Sequence, residues 1–233
     1  MVNTTLSRHI DACYLGEIAF QKAATIQRNI AQEVAEDNHL GTFLFLEHHP
    51  VITLGKNANE SHILASPEVL DSKGITIERT GRGGGVTFHG PGQLIFYPIL
   101  RVRGVYQVRE YVELLQNVVL NTLTAFGIKG VTKANAPGVW VEDRKISSIG
   151  IRIHNGVATH GLSLNVFGAL SGFSYILACN DAQTLQTTLR NEAQTPADWD
   201  TILGIFVRQV ETVFGIQLSW RSANHYENLR VLT

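Results

Sequence analysis

The run Thr80-Gly81-Arg82-Gly83-Gly84-Gly85-Val86-Thr87-Phe88-His89-Gly90-Pro91-Gly92-Gln93-Leu94 brings a fixed cation, an imidazole and six glycines into one short stretch. Glycine carries no side chain and loses more backbone entropy on folding than any other residue, so such a run belongs where the backbone must come close to something. Val86-Thr87-Phe88 is β-branched and aromatic and reads as a short strand. Gly90-Pro91-Gly92 reads as a tight turn, which would account for that triplet taken alone. The apolar segment Ile95-Phe96-Tyr97-Pro98-Ile99-Leu100 follows. The pattern predicts loop, strand, turn, strand: a hairpin presenting backbone N–H groups, the Arg82 guanidinium and the His89 imidazole to one groove, suited to an extended ligand with a polar head. The phosphate-binding fingerprints are excluded, because Val86 stands where G-x-G-x-x-G needs its third glycine and no Gly-Lys-Ser or Gly-Lys-Thr follows.

Three other sets of residues could do chemistry. His48 and His49 are adjacent, and neighbours on an extended segment face opposite ways, so the pair is not expected to share a metal ion. Lys145 opens the strand Lys145-Ile146-Ser147-Ser148-Ile149-Gly150, whose small and apolar side chains could partly desolvate its ammonium; desolvation favours the neutral amine and suits a lysine to acid–base work. An exposed lysine beside a turn is the simpler reading of Lys145 by itself. Cys13 and Cys179 lie far apart without a C-x-x-C spacing, which fits a reducing compartment and excludes a cysteine-built zinc site. Each alone reads as a small buried hydrophobe.

These residues need a scaffold. A chain of 233 residues, 44% apolar and 17% charged, is expected to fold as one domain over residues 1–233, or at most two, with a substantial core. Its net charge of -1 favours neither nucleic acid nor a membrane surface. The first residues lack a signal-peptide core and no window approaches a membrane span, so a cytoplasmic location is expected. Ile10–Leu15 reads as a short edge strand leading into a helix over 17–36, with Ala19, Ala23, Ile26, Ile30 and Val34 on one face. Strands are expected over Thr42–Glu47, Val51–Leu54 and Ile75–Glu78. Val108, Tyr111, Leu115, Val118, Val119 and Leu123 mark a second helix, stopped near Gly127. Residues 136–141, 145–153 and 157–166 read as three antiparallel strands joined by turns at Glu142-Asp143-Arg144 and His154-Asn155-Gly156. The segment 183–190 carries no clear period. A third helix over 198–214 and a strand over Ile216–Trp220 complete an α+β fold of mixed, mostly antiparallel sheets with three principal helices packed on the outside.

The run Arg82 to Leu94 with Tyr97-Pro98 resembles the signature of the lipoyl(octanoyl) transferases, members of the biotin/lipoate protein ligase superfamily. The segments Leu46 to Gly55, Lys145-Ile146-Ser147-Ser148-Ile149-Gly150 and Thr159-His160-Gly161-Leu162-Ser163-Leu164-Asn165-Val166 are similar to the family as well. The resemblance covers about the first four-fifths of the chain and implies a biotin/lipoate ligase-like catalytic domain. It makes Cys179 the acyl-carrying nucleophile and Lys145 its catalytic partner. It also makes Arg82, Gly83, Gly84, Gly85, Val86, Thr87, Phe88 and His89 one wall of an acyl groove, with Ser148, Ile149, Gly150, Gly161, Leu162 and Ser163 the other. One departure is visible: Cys179 is flanked by Ala178 and Asn180, where the family usually has proline and glycine.

The implied reaction moves an octanoyl group from octanoyl-acyl carrier protein to Cys179 and then to a lysine of a lipoyl domain, in a 2-oxoacid dehydrogenase or a glycine-cleavage carrier, as the first step of lipoate biosynthesis. Thioester exchange is near balance and thioester to amide runs downhill, so neither ATP, metal nor other cofactor is expected. An ATP-dependent lipoate or biotin ligase is a sister possibility, though His89-Gly90-Pro91-Gly92-Gln93 argues against it. Two more readings stay open: an amidotransferase moving the acyl group between protein lysines, and a non-catalytic relative that only binds acyl carriers.

Overall fold

The computed structural model describes residues 8–36, 40–134, 136–168, 170–178 and 184–227; Cys179 and Asn180 lie outside them. In chain order the elements are β1 (Arg8–Ile18), α1 (Phe20–Glu36), β2 (Gly41–His48), β3 (Val51–Leu54), α2 (Pro67–Ser72), β4 (Thr76–Arg79), β5 (Val86–His89), β6 (Gln93–Arg101), α3 (Val108–Ala125), β7 (Val131–Lys133), β8 (Ala136–Val141), β9 (Arg144–His154), β10 (Val157–Asn165), α4 (Leu189–Glu192), α5 (Trp199–Phe214), β11 (Ile216–Trp220) and α6 (Ala223–Glu227). Eight strands form one sheet in the order β11-β1-β2-β6-β10-β9-β8-β7, and β4-β3-β5 form a second, smaller one. Among the strands of the described residues, the pairs β1–β11, β1–β2 and β3–β4 are parallel and the others antiparallel, so the expected mixed, mostly antiparallel α+β architecture is found.

The large sheet is covered on both faces, which explains why its central strands are apolar without interruption. Phe43 and Phe45 of β2 and Leu94 and Phe96 of β6 point to the side of α3 and α5. Leu44, Leu46, Ile95, Tyr97 and Ile99 point to the other side, where α1 brings Ala23, Ile26, Ile30 and Val34. A third cluster, built from Ile52, Leu54, Val86, Phe88, Leu70 and Ile176, belongs to the small sheet. The three helices expected from periodicity are present, with local signals at their ends. Gln107 and Glu110 form a capping box at the start of α3. Asp198 accepts the Thr201 N–H at 2.8 Å to cap α5.

Three expectations change. The first strand is eleven residues long and is not an edge, because β11 returns from the far end of the chain to pair beside it in parallel, Ala12 opposite Trp220. The first helix begins at Phe20 rather than at residue 17. The glycine-rich run does not form a hairpin: β5 pairs with β3, Val51 opposite His89, whereas β6 lies between β2 and β10 in the other sheet. Gly90-Pro91-Gly92 is a crossing point between sheets. The Glu47 carboxylate holds it there by accepting the Gly92 N–H at 2.6 Å.

Phe96 is fully buried where the core is densest, with ring centroids of Phe43, Phe45, Phe206 and Phe214 at 5.3, 5.0, 5.6 and 6.4 Å. Replacing it with alanine removes the ring on which strands β2 and β6 and helix α5 converge. Phe96→Ala is expected to lower the unfolding free energy by about 3–5 kcal/mol, read as a fall in the urea midpoint.

Candidate active site

The two sheets diverge beyond the crossing at Gly90–Gly92, and the space between them is a groove of about 880 Å³. One wall is the glycine-rich loop. Its carbonyls at Arg82, Gly84 and Gly85 accept the N–H groups of Lys56, Asn57 and Gly55 at 2.9, 3.1 and 3.1 Å, so two loop segments lie flat against each other. A Cβ on Gly55 would meet the Gly84 carbonyl oxygen at 2.3 Å, and glycine is therefore required for that approach. The loop is tied across to the large sheet by the Gly83 N–H, which donates to the Ile151 carbonyl of β9 at 2.9 Å.

Arg82 lines the groove, but its guanidinium also has a structural task. Nη2 donates to the carbonyl and hydroxyl oxygens of Thr53 at 2.7 and 2.8 Å, and Nη1 donates to the Gly83 carbonyl at 3.0 Å. The cation expected to be displayed to a ligand is thus a clamp between β3 and the loop. Val86, Thr87 and His89 line the groove with it, as do Ser148, Ile149, Gly150, Gly161, Leu162 and Ser163. Phe88 does not. Its ring packs in the cluster under the small sheet, 5.8 Å from Phe173, so its place in the groove wall is corrected.

Lys145 is the largest departure from the simple reading of its sequence context. It is 4% exposed and lines the groove. Its stem passes over Gly138, where a Cβ would come within 2.7 Å of Lys145 Cε, and Nζ lies 5.0 Å from the centre of the Trp140 ring. Its backbone is bonded by the segment before α4. Lys145 N–H donates to Leu185 O at 2.8 Å and Thr187 N–H donates to Lys145 O at 2.9 Å. Thr184, which opens that segment, also lines the groove.

At the opposite end the groove meets Tyr97, His160 and Phe20, with His48 behind them. The Ile18 carbonyl, 3.0 Å from His48 Nδ1, can only accept; Nδ1 therefore carries the proton and Nε2 accepts from the Tyr97 hydroxyl at 2.9 Å. His49, by contrast, is exposed on the other side of the strand, 3.9 Å from Glu17. His89 is held similarly. Gln93 Nε2 donates to Phe88 O at 3.3 Å, which turns Gln93 Oε1 to accept from His89 Nδ1 at 3.0 Å. His160 takes a positive φ of 59°. Opposite it lies Pro98 of β6, which has no N–H, and the β6–β10 register lapses between Ala158 and Leu162. The freed His160 N–H donates instead to Gln27 Oε1 of α1 at 2.8 Å.

Burial pushes all three imidazoles down, to about 4 for His48, about 3 for His89 and about 4 for His160, with the Arg82 charge adding to the effect on the last two. These three imidazoles are therefore neutral hydrogen-bonding groups near pH 7, and the charge beside them is the Arg82 guanidinium. Tyr97, Phe20, Val108, Val112, Lys133 and Trp140 complete the lining. The sequence offered little to select them: Tyr97 lies on a strand buried on both faces, where alternation does not reveal which face meets a groove.

The depressed histidines make a pH prediction. Between the ordinary value of 6.5 and about 4, the unfolded state binds a proton at His48 that the folded state refuses, so stability rises with pH across that window. Urea unfolding at pH 7, 5.5 and 4.5 is expected to show a falling midpoint, with His48 contributing on the order of 3 kcal/mol. His48→Gln should flatten that slope.

Comparison with known proteins agrees with this architecture. Solved structures share the fold at low identity: lipoate-protein ligase A bound with ATP superposes with a TM-score of 0.79 at 12% identity, covering 94% of this chain and 92% of that one. A biotin protein ligase from Aquifex aeolicus superposes with a TM-score of 0.53 at 14% identity, covering 88% of this chain and 70% of that one. Two relatives, each named Octanoyltransferase, are nearer in sequence. That of Chloroflexus aurantiacus is 39% identical over 215 residues, 90% of this chain and 96% of its own length. That of Acidobacterium capsulatum is 36% identical over 228 residues, 91% of this chain and 92% of its own length. Residues 20–208, a range that contains the groove-lining residues and Lys145, match the lipoyl protein ligase A/B catalytic domain; the chain belongs to that family.

Proposed function

We propose that this protein is an acyltransferase of lipoate biosynthesis that moves an octanoyl group from octanoyl-acyl carrier protein to a lysine of a lipoyl domain by way of a thioester on Cys179. The observation that carries the reading is Lys145, a lysine 4% exposed in the wall of the groove. A buried amine in a cleft has a task that a surface lysine does not. The relatives named Octanoyltransferase give the acyl group and reaction class. Cys179 lies outside the described residues, and its role rests on the family resemblance. Its described neighbours along the chain agree with it: Ala178 is buried beside the small sheet, and Thr184 lines the groove just before Leu185 bonds Lys145.

Two steps follow. The Cys179 thiolate attacks the thioester carbonyl of the donor, and the carrier's sulfur leaves as a thiol with a proton from the Lys145 ammonium. The lysine amine of the acceptor then attacks the Cys179 thioester, an amide forms, the Cys179 thiolate leaves, and the amine's proton returns to Lys145. The cycle closes with the enzyme's protons restored and without ATP. Arg82 to Thr87 and His89 on one wall, and Ser148 to Gly150 and Gly161 to Ser163 on the other, hold the acyl chain between them. The buried thioester carbonyl meets backbone donors as charge develops on its oxygen. The carriers and the reducing conditions a thiolate needs place the reaction in the cytoplasm.

Intact-mass analysis after mixing with octanoyl-acyl carrier protein is expected to show one octanoyl addition, mapped to the peptide containing Cys179 and absent in Cys179→Ser. Lys145→Ala should lower transfer by roughly 10²-fold or more with the circular dichroism spectrum unchanged. Transfer to a lipoyl domain is expected without ATP. A requirement for ATP and free octanoate would instead assign the ligase reaction, and an inert Cys179 with no transfer would leave a carrier-binding relative.

A further inference from the structure

We infer that Glu192, acting through Arg144 and Thr187, is the positioning residue that fixes Lys145 in the groove wall. Its bearing on catalysis rests on the reading of Lys145 given above. Strand β10 leaves the sheet after Asn165, so β9 loses its neighbour on that side where Lys145 begins. Residues Leu185–Thr187 take the vacated place, with Gln186 bridging Lys145 in parallel. So short a piece of chain, bonded by one N–H and one carbonyl of Lys145, does not hold itself against a sheet.

One carboxylate supplies the missing restraint. Arg144, the residue before Lys145, forks onto Glu192, Nε to Oε1 at 3.0 Å and Nη2 to Oε2 at 3.1 Å. Such bidentate pairing is directional as well as strong. The Thr187 hydroxyl, two residues past the Leu185 carbonyl that Lys145 uses, donates to the same Glu192 Oε1 at 2.5 Å. Glu192 therefore grips both strands of the bridge at once. The Glu192 side chain is 14% exposed and that of Arg144 37%, and Arg144 Nη1 also meets Glu142 Oε2 at 2.9 Å; the forked pairing onto a mostly buried carboxylate is what separates this pair from surface ion pairs worth little. Burial pushes the Glu192 carboxyl up, but the hydrogen bonds from Arg144 and Thr187 and the guanidinium charge outweigh it and hold it below its ordinary value. Two further bonds anchor the segment: Asn165 Nδ2 donates to Thr187 O at 3.1 Å, and Thr188 Oγ1 accepts the Asn191 N–H at 3.2 Å to start α4. None of these residues lines the groove. Their effect reaches it through the backbone of Lys145.

The test is chemical modification of the folded enzyme by acetic anhydride, with acetylation of each lysine quantified by peptide mass spectrometry. Lys145 in the wild type is expected to be among the slowest lysines. Glu192→Ala is expected to raise its acetylation about tenfold relative to Lys22 and Lys73, and Glu192→Asp, which keeps the charge, to recover part of the protection. Thr187→Val, which removes one hydroxyl and preserves volume, should raise it about threefold and serves if Glu192→Ala does not fold. Unchanged acetylation of Lys145 in the folded variants, even with a lower melting temperature, would mean that the network only stabilises the fold and would overturn the inference. Transfer kinetics form a separate arm. A kcat reduced about tenfold with KM nearly unchanged ties the displacement to chemistry, because misplacing a catalytic group costs rate more than binding. Raised acetylation with unchanged kcat leaves the clamp standing and removes Lys145 from the proposed proton transfers.

Discussion

The groove exists because a glycine-rich loop from the small sheet is bonded to both sheets at once. On one side its carbonyls and the Arg82 guanidinium hold Gly55–Asn57 and Thr53; on the other, the Gly83 N–H reaches Ile151 of β9. Remove the first set and the loop has nothing to lie on; remove the second and the wall swings free of the strand that carries Lys145. A side chain on Gly55 would push the two segments apart, so the glycines here serve the close backbone approach that makes a wall of uniform, main-chain character.

The chemistry of the two ends differs for a physical reason. At the end bearing Tyr97, His160 and His48, burial holds the imidazoles neutral; the His48 ring is oriented by the Ile18 carbonyl and the Tyr97 hydroxyl, and the nearby His89 ring by the Gln93 amide. At the other end Lys145 sits beside Trp140, whose ring face can receive an ammonium, and the main-chain N–H and carbonyl of Lys145 are bonded by the Leu185–Thr187 segment. The sheet's own architecture creates the opening: β10 stops at Asn165, and a later piece of chain replaces it.

Sequence patterning carried much of the fold because its signals are local. The helical period of α1, α3 and α5 and the turns at Asn155-Gly156 and Glu142-Asp143 depend on residues within a few positions of each other. Pairing partners do not. β5 and β6 are separated by a turn that would suit a hairpin, yet β5 finds β3 because Val86 and Phe88 share an apolar face with Ile52 and Leu54. β1 is interior only because β11 arrives from some two hundred residues away.

The candidate site divides the same way. From residue types and resemblance alone came the expectation of the glycine wall, of the Ser148–Gly150 and Gly161–Ser163 segments opposite it, and of Lys145 and Cys179 as a reactive pair, the last of which stays a proposal. Tertiary structure decided which of those side chains face the groove: Phe88 packs under the small sheet, Arg82 is spent on Thr53 and Gly83, and Lys145 is buried rather than exposed beside its turn. It also recruited Tyr97, His160 and Trp140, and set Glu192 behind Arg144, forty-eight positions apart in sequence. Periodicity records which residues can be buried together. Which face of a doubly covered strand meets a cavity, and which distant carboxylate answers an arginine, is fixed only when the sheets close on one another.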